Sequence, residues 1–288
     1  MSEAFFAAVQ AGDLEAVREH LAAGLPVDLH DERGREATAL MYAARHGRAE
    51  IVRLLLDAGA DVSARDWKDP EMAGQRTALH YAATSADPEV LRLLLAAGAD
   101  PNAIDSHGET PLSRAVRENN EPAVRLLLEG GANVRLRPRS RNYTPPLCAA
   151  AEAGNLSLLS LLLEAGADPN AADGTRQTPL FAAARSADET GAPIAAALLR
   201  AGADPDPLNK WGDPPLLGAV LYKNLEVIRL LAEAGANLSR IFPRGTALEI
   251  VEQDADYLRA QLANPSFAGP AREVAEEKLR TCQAALDL

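Results

Sequence analysis

Aromatic side chains make up only 4 % of this 288-residue chain, and cysteine occurs just twice, at Cys148 and Cys282. Two distant cysteines form neither a disulfide framework nor a zinc pattern, so a reducing compartment is the simplest setting. The five histidines, His20, His30, His46, His80 and His107, fall in separate stretches with no partner one helical turn away. A glycine-rich phosphate loop and a Cys/His cluster at ligand spacing are both missing. No catalytic, metal or cofactor site is therefore expected, and the chain does not read as an enzyme. No stretch reaches the roughly 18–20 apolar residues that span a bilayer. The opening segment, Met1 to Phe6, has no basic n-region of a signal peptide. A cytoplasmic chain with no membrane partner is the expectation. Positive charge is also scarce: 29 Lys and Arg against 41 Asp and Glu leave a net charge of −12. An acidic surface repels phosphate backbones, which argues against nucleic acid as a partner.

Hydrophobic residues are plentiful at 47 %, with alanine and leucine prominent, and both are strong helix formers. Their arrangement is periodic. Segments beginning Thr38-Ala-Leu, Thr77-Ala-Leu, Thr110-Pro-Leu, Pro145-Pro-Leu, Thr178-Pro-Leu and Pro214-Pro-Leu place leucines at Leu40, Leu79, Leu112, Leu147, Leu180 and Leu216. The spacings are 39, 33, 35, 33 and 36 residues. A second marker follows each leucine and ends at Asp61, Asp100, Asn133, Asp168, Asp204 or Asn237, 21 residues on in five cases and 24 in the other. Two markers held in register to this degree define a repeat.

The physics of one unit follows from its residues. Threonine supplies a cap oxygen, and proline or alanine takes the first helical position, where a missing N–H costs little. Small residues such as Ala43-Ala44 allow close helix approach. A break near Gly47 or Gly154 precedes a second helix with a dense apolar row, for example Ile51, Val52, Leu54, Leu55 and Leu56. Gly59 and its equivalents end that helix. Turn signals such as Asp105-Ser-His-Gly and Asn209-Lys-Trp-Gly lead onward. One helix pair cannot bury its leucines alone, whereas stacked pairs share a core.

Thr77-Ala-Leu-His-Tyr-Ala-Ala and Ala97-Gly-Ala-Asp-Pro-Asn-Ala resemble the ankyrin repeat. The resemblance extends over residues 4–263 and implies an all-α solenoid of helix–turn–helix units with projecting β-turn fingers, capped at both ends. It also implies a concave face built from fingers and first helices. The expected organisation is an N-terminal cap unit over 1–37, six repeats over 38–245 and a terminal half-unit over 246–263. A linker and capping helix then occupy 264–288. In that last helix Val274, Ala275, Leu279, Cys282, Ala285 and Leu286 are expected to face inward. His80 is expected to hydrogen-bond Thr77 and the neighbouring turn, and Cys148 and Phe181, at the same repeat position, to lie in the core.

Three insertions break the period: 66–76 and 135–143 in fingers, and 186–193 between the two helices of one repeat. Insertions in solenoids map to exposed loops. Trp67 and Trp211 fall at finger tips, where the core gives an aromatic little, and tryptophan is enriched at interface hot spots. Arg135, Arg137, Arg139 and Arg141 form a basic finger suited to carboxylates. The two positions after each Ala-Ala step are expected to face the groove: Arg45-His46, Thr84-Ser85, Arg117-Glu118, Glu152-Ala153, Arg185-Ser186 and Leu221-Tyr222. The candidate partner-binding residues are Trp67, Trp211, Arg139, Arg141, Arg45, His46, His107, Arg117 and Tyr222.

The functional expectation is a protein-interaction module, monomeric when unbound, that grips a folded protein partner as adaptor, scaffold or inhibitor. A narrower alternative is a bacterial antidote blocking a toxin or effector enzyme, since the Ala, Leu, Gly and Arg bias suggests a high-GC bacterium. A passive spacer or self-associating scaffold is the structural alternative.

Overall fold

A computed structural model describes residues 2–31, 36–66, 74–137, 143–186, 189–242, 245–264 and 270–286. Its contacts divide the chain into two compact units, residues 1–146 with 164–166, and residues 147–163 with 167–288.

The first unit holds α1 (Ser2–Ala11), α2 (Leu14–Ala22), α3 (Ala39–Arg45), α4 (Ala49–Asp57), α5 (Ala78–Ala82), α6 (Pro88–Ala96), α7 (Pro111–Arg117) and α8 (Glu121–Glu129). Helices α1, α3, α5 and α7 pack in one row, and α2, α4, α6 and α8 in a second. The repeat leucines Leu40, Leu79 and Leu112 lie between the rows, each no more than 1 % exposed. Of the apolar row on α4, Ile51, Val52 and Leu55 are buried, while Leu54 and Leu56 are half-buried. On α6 the same places fall to Val90, Leu91 and Leu94. Burying each leucine contributes roughly 1.5–3 kcal/mol.

Threonine caps start the inner helices. Thr38 Oγ1 accepts the Met41 amide at 3.4 Å, and Thr110 Oγ1 accepts that of Ser113 at 3.1 Å. Each such cap stabilises by about 1 kcal/mol. The outer helices end at glycine: Gly98 has φ +86°, a left-handed conformation that costs other residues. At the N-terminus Phe5 and Phe6 are buried, and the Phe6 ring stands 5.6 Å from that of Tyr42.

The second unit holds α9 (Pro146–Glu152), α10 (Leu156–Glu164), α11 (Pro179–Arg185), α12 (Gly191–Arg200), α13 (Pro215–Leu221), α14 (Leu225–Glu233), β1 (Ile241–Phe242), β2 (Gly245–Thr246), α15 (Ala247–Leu262) and α16 (Pro270–Leu286). Inner helices α11, α13 and α15 pack in sequence, as do the outer helices α12 and α14. Cys148 and Phe181 are both buried, 4 % exposed, as their repeat position implied. The insertion over 186–193 is shorter as a loop than its sequence suggests, because Gly191 already opens α12. In the finger before α15, the antiparallel pair β1–β2 sets Ile241 opposite Thr246.

Helix α16 packs against both α15 and α14. Ala275 and Cys282 are buried and Leu279 is half-buried. Val274 departs from expectation, since it is 54 % exposed. The buried stripe steps by four and then three residues, 275–279–282, and Val274 lies about 100° round the helix from its first member. Burial, reinforced by the Asp254 charge, pushes the Cys282 thiol above its ordinary pKa.

Candidate functional site

The fingers are built on one recurring side chain. Asp105 Oδ1 accepts the amides of His107 and Glu109, both at 2.9 Å. Asp173 does the same for Thr175 at 2.7 Å and Gln177 at 2.9 Å. Asn209 does it for Trp211 at 2.9 Å and Asp213 at 3.0 Å. The side chain closes the turn, as Asx residues do, and leaves the residue two positions on at the tip. His107 and Trp211 therefore occupy equivalent places, and both are exposed. The Asp or Asn that does this opens the turn signals read from the sequence, five residues before the cap segment begins.

Adjacent fingers are clipped together by backbone bonds. Within the first unit the Ser106 amide donates to Gly74 O at 3.0 Å; within the second, Lys210 donates to Thr175 O at 3.0 Å. A second set of clips lies beyond the outer helices. Asn102 accepts the Asn133 amide at 2.7 Å and donates to Gly131 O at 3.2 Å. Asn170 makes the matching pair with Asp204 and Gly202. Amide side chains satisfy both a donor and an acceptor of the next unit, which fixes spacing between repeats.

His80 takes the expected structural place. Its Nδ1 accepts the Thr77 amide at 3.1 Å, and its Nε2 lies 3.1 Å from Glu109 O. Because an amide only donates, Nδ1 is unprotonated and Nε2–H donates to the carbonyl. Burial is the main cause holding the imidazole at a pKa of about 4. In the next repeat Ser113 replaces it, and its hydroxyl accepts the Thr110 amide at 2.8 Å.

Trp211 is 62 % exposed, with the Lys210 ammonium 4.3 Å above its ring centre. Tyr222 and Leu221, at the end of α13, are 52 % and 58 % exposed. Arg45 and His46 are exposed at the end of α3. Partial desolvation first, and then the Arg45 and Arg48 charges, hold the His46 imidazole below its usual range. Arg117 is exposed but engaged: it and Arg114 both contact the Glu109 carboxylate, Arg114 at 3.2 Å. Of the paired positions after each Ala-Ala step, Ser85 departs from expectation. It is buried, its hydroxyl accepting the Asp87 amide at 3.3 Å where the chain turns into α6. Trp67, Arg139 and Arg141 lie outside the described residues. Arg135, at the described edge of the basic finger, donates to Gly166 O at 2.5 Å.

The outer helices present a different surface. Arg53 and Arg92 both pair with Glu89, at 3.4 and 3.6 Å, and Arg229 sits between Glu226 and Glu233. Such exposed pairs contribute roughly 0–1 kcal/mol each. Leu156, 40 % exposed at the start of α10, is an apolar exception on that side. Among the described residues no group of three or more His, Cys, Asp or Glu is placed to hold a metal ion. No described helix is long and apolar enough to cross a membrane.

Short capped helix pairs joined by Asx-pinned fingers define a stacked helical-repeat protein. The family model described as ankyrin repeats (3 copies) matches residues 5–105, 67–138 and 147–241. The chain belongs to the ankyrin repeat family and has its solenoid fold. The solved ankyrin repeat domain of Bcl-3, a member of the IkappaB protein family, is 32 % identical. That match covers 75 % of this chain and 93 % of that one, with a TM-score of 0.62. The human ASB11 ankyrin repeat domain is 26 % identical over 84 % of this chain and 98 % of that one, with a TM-score of 0.61. Ankyrin repeat protein 14 of Vaccinia virus (strain Western Reserve) is 45 % identical over 62 residues, 22 % of this chain and 26 % of that protein. Against a longer cowpox virus relative the matched segment is 9 % of its length.

Proposed function

We propose that this ankyrin repeat domain is a protein-interaction module that holds a folded partner on its finger and inner-helix side, as adaptor, scaffold or inhibitor, in the cytoplasm. One observation carries the reading: Trp211, Leu221 and Tyr222, each more than half exposed, sit on a finger and an inner-helix end, while the outer helices show paired charges. Exposed aromatics cost solvation and gain energy only when a partner covers them, which is why they concentrate at hot spots. The two buried free cysteines suit a reducing compartment.

The test is affinity purification of the tagged full chain from its native cell, with mass spectrometry of what is retained, run beside Trp211→Ala and Tyr222→Ala. A protein retained by the parent and lost from both variants is the expected result. Retention that is unchanged in both variants would place the interaction elsewhere.

A further inference from the structure

The fourth residue of the inner helix differs in size among the six repeats. In the first unit it is Tyr42, Tyr81 and Arg114; in the second it is Ala149, Ala182 and Gly218. The large side chains are tied down: Tyr42 Oη donates to Asp31 at 2.8 Å, Tyr81 Oη to Asp66 at 2.5 Å, and Arg114 pairs with Glu109. A cavity of about 260 Å³ opens in the second unit, lined by Ala182 together with Glu152, Gly154, Arg185, Ser186 and Thr190.

Gly154 lines that cavity with φ +68°, and a Cβ there would stand 2.9 Å from Thr190 Oγ1, so a larger residue in the turn after α9 would press on the Thr190 side chain. Ser186 Oγ and Thr190 Oγ1 lie 3.2 Å apart across the wall. Arg185 lies along the neighbouring helix, its Cγ 3.0 Å from where a Cβ of Gly218 would be. The exposed Leu221 and Tyr222 follow on that same helix α13.

We propose that this cavity receives one arginine or lysine side chain of a partner protein, its charged end at Glu152 and its stem over Ala182. The inference rests on the partner-binding reading above and adds the chemistry of what is bound. Size supports a single side chain: ligand pockets for whole small molecules run from roughly 300 to 1,000 Å³. Charge decides the sign. Glu152 is exposed at the cavity's outer edge, and its carboxyl is held above its ordinary range, first by partial desolvation and then by the Asp173 carboxylate, with Arg185 pulling the other way. A cation entering there meets Glu152 and Arg185 in the lining, while the Asp173 carboxylate, which lies outside it, adds to the negative field at Glu152. A carboxylate entering would add to the repulsion that already acts on Glu152. The net charge of −12 favours approach of a basic partner in the same sense.

The test uses the full chain as bait for a random-peptide display library, followed by affinities of the recovered peptides for the parent, Glu152→Gln, Ala182→Phe and a control, Glu118→Gln. The expected peptides share an arginine or lysine and lose about fivefold or more on Glu152→Gln, the size of a partly exposed charge contact. Ala182→Phe should abolish their binding, and Glu118→Gln should leave it unchanged, with circular dichroism matching the parent throughout. Peptides without a basic residue that still depend on Ala182 would overturn the charge assignment and leave the binding face standing. Peptides indifferent to Glu152 and Ala182 would remove the cavity as a site. No enrichment over an unrelated protein would also count against the inference, while the folded-partner reading keeps its separate test.

Discussion

Acid should loosen this protein through His80, and the size of the effect can be worked out. His80 is fully buried, with Nδ1 accepting from Thr77 and Nε2–H donating to Glu109 O. Protonation would set an N–H against the Thr77 N–H and place a charge among buried groups. The folded pKa of about 4 lies below the ordinary imidazole value of 6.5. Between those values the unfolded chain binds a proton that the folded chain refuses, so stability falls as pH drops. The contribution is complete above about pH 6.5 and is lost progressively down to the folded pKa. The full difference corresponds to about 3 kcal/mol, and the loss on going from pH 7 to about pH 5 to about 2 kcal/mol. His80→Ser is the matched control, because Ser113 performs the same cap in the next repeat without titrating. The assay is urea unfolding followed by circular dichroism for both proteins at the two pH values, with an NMR titration of the imidazole. The serine variant starts lower because a cavity remains, but its pH-dependent loss should be about 2 kcal/mol smaller than that of the parent. An imidazole that titrates near 6.5, or equal acid losses in the two proteins, would refute the assignment.

Leu94 is fully buried on α6, so Leu94→Ala should destabilise by roughly 2–5 kcal/mol in denaturant unfolding, with the loss reaching α4 and α8 because repeat stability is largely nearest-neighbour. Removing residues 264–288 should uncover the α14 and α15 surfaces that pack on α16; lower melting temperature and concentration-dependent association in sedimentation are expected, and a monomer of parent stability would make the tail a binding arm instead. Trp211→Ala or Tyr222→Ala should leave the melting temperature near that of the parent and at least one should weaken the purified partner by about 2 kcal/mol in calorimetric titration, whereas Arg92→Glu should change affinity by less than about 1 kcal/mol.

How much of this was legible in the sequence depended on whether the cause was local. The cap threonines, the terminating glycines and the leucine row act within one turn of their own helix, so Leu40, Thr110 and Gly98 could be placed from spacing alone. His80 could be placed too, because its partners are fixed by the repeat. Val274 could not: adjacent residues on α16 differ only in which neighbour the helix leans against, and its packing on both α14 and α15 selects 275–279–282. Ser85 escaped for a similar reason, since the turn into α6 folds it inward against Asp87 while the equivalent His46 stays out. The small residues Ala149, Ala182 and Gly218 carry no signal as a set until their shared position on the inner helices is seen, and the cavity beside Ala182 also needs Ser186 and Thr190, which sequence spacing does not bring to it.

The division of labour between positions has an energetic consequence. The residues that hold each unit, Asp105 and Asn209 in the fingers and Asn102 and Asn170 beyond the outer helices, spend their hydrogen bonds on backbone groups. The backbone is the same whatever side chain follows, so the finger-tip position two residues beyond each Asx can hold His107, Thr175 or Trp211 without disturbing the turn. The fourth inner-helix position can likewise hold tyrosine, arginine, alanine or glycine over an unchanged leucine beneath. Substitutions at these places should alter stability by no more than about 0.5 kcal/mol when exposed, while hot-spot residues at an interface cost about 2 kcal/mol or more. A scaffold of this kind can change its partner chemistry through the exposed set alone.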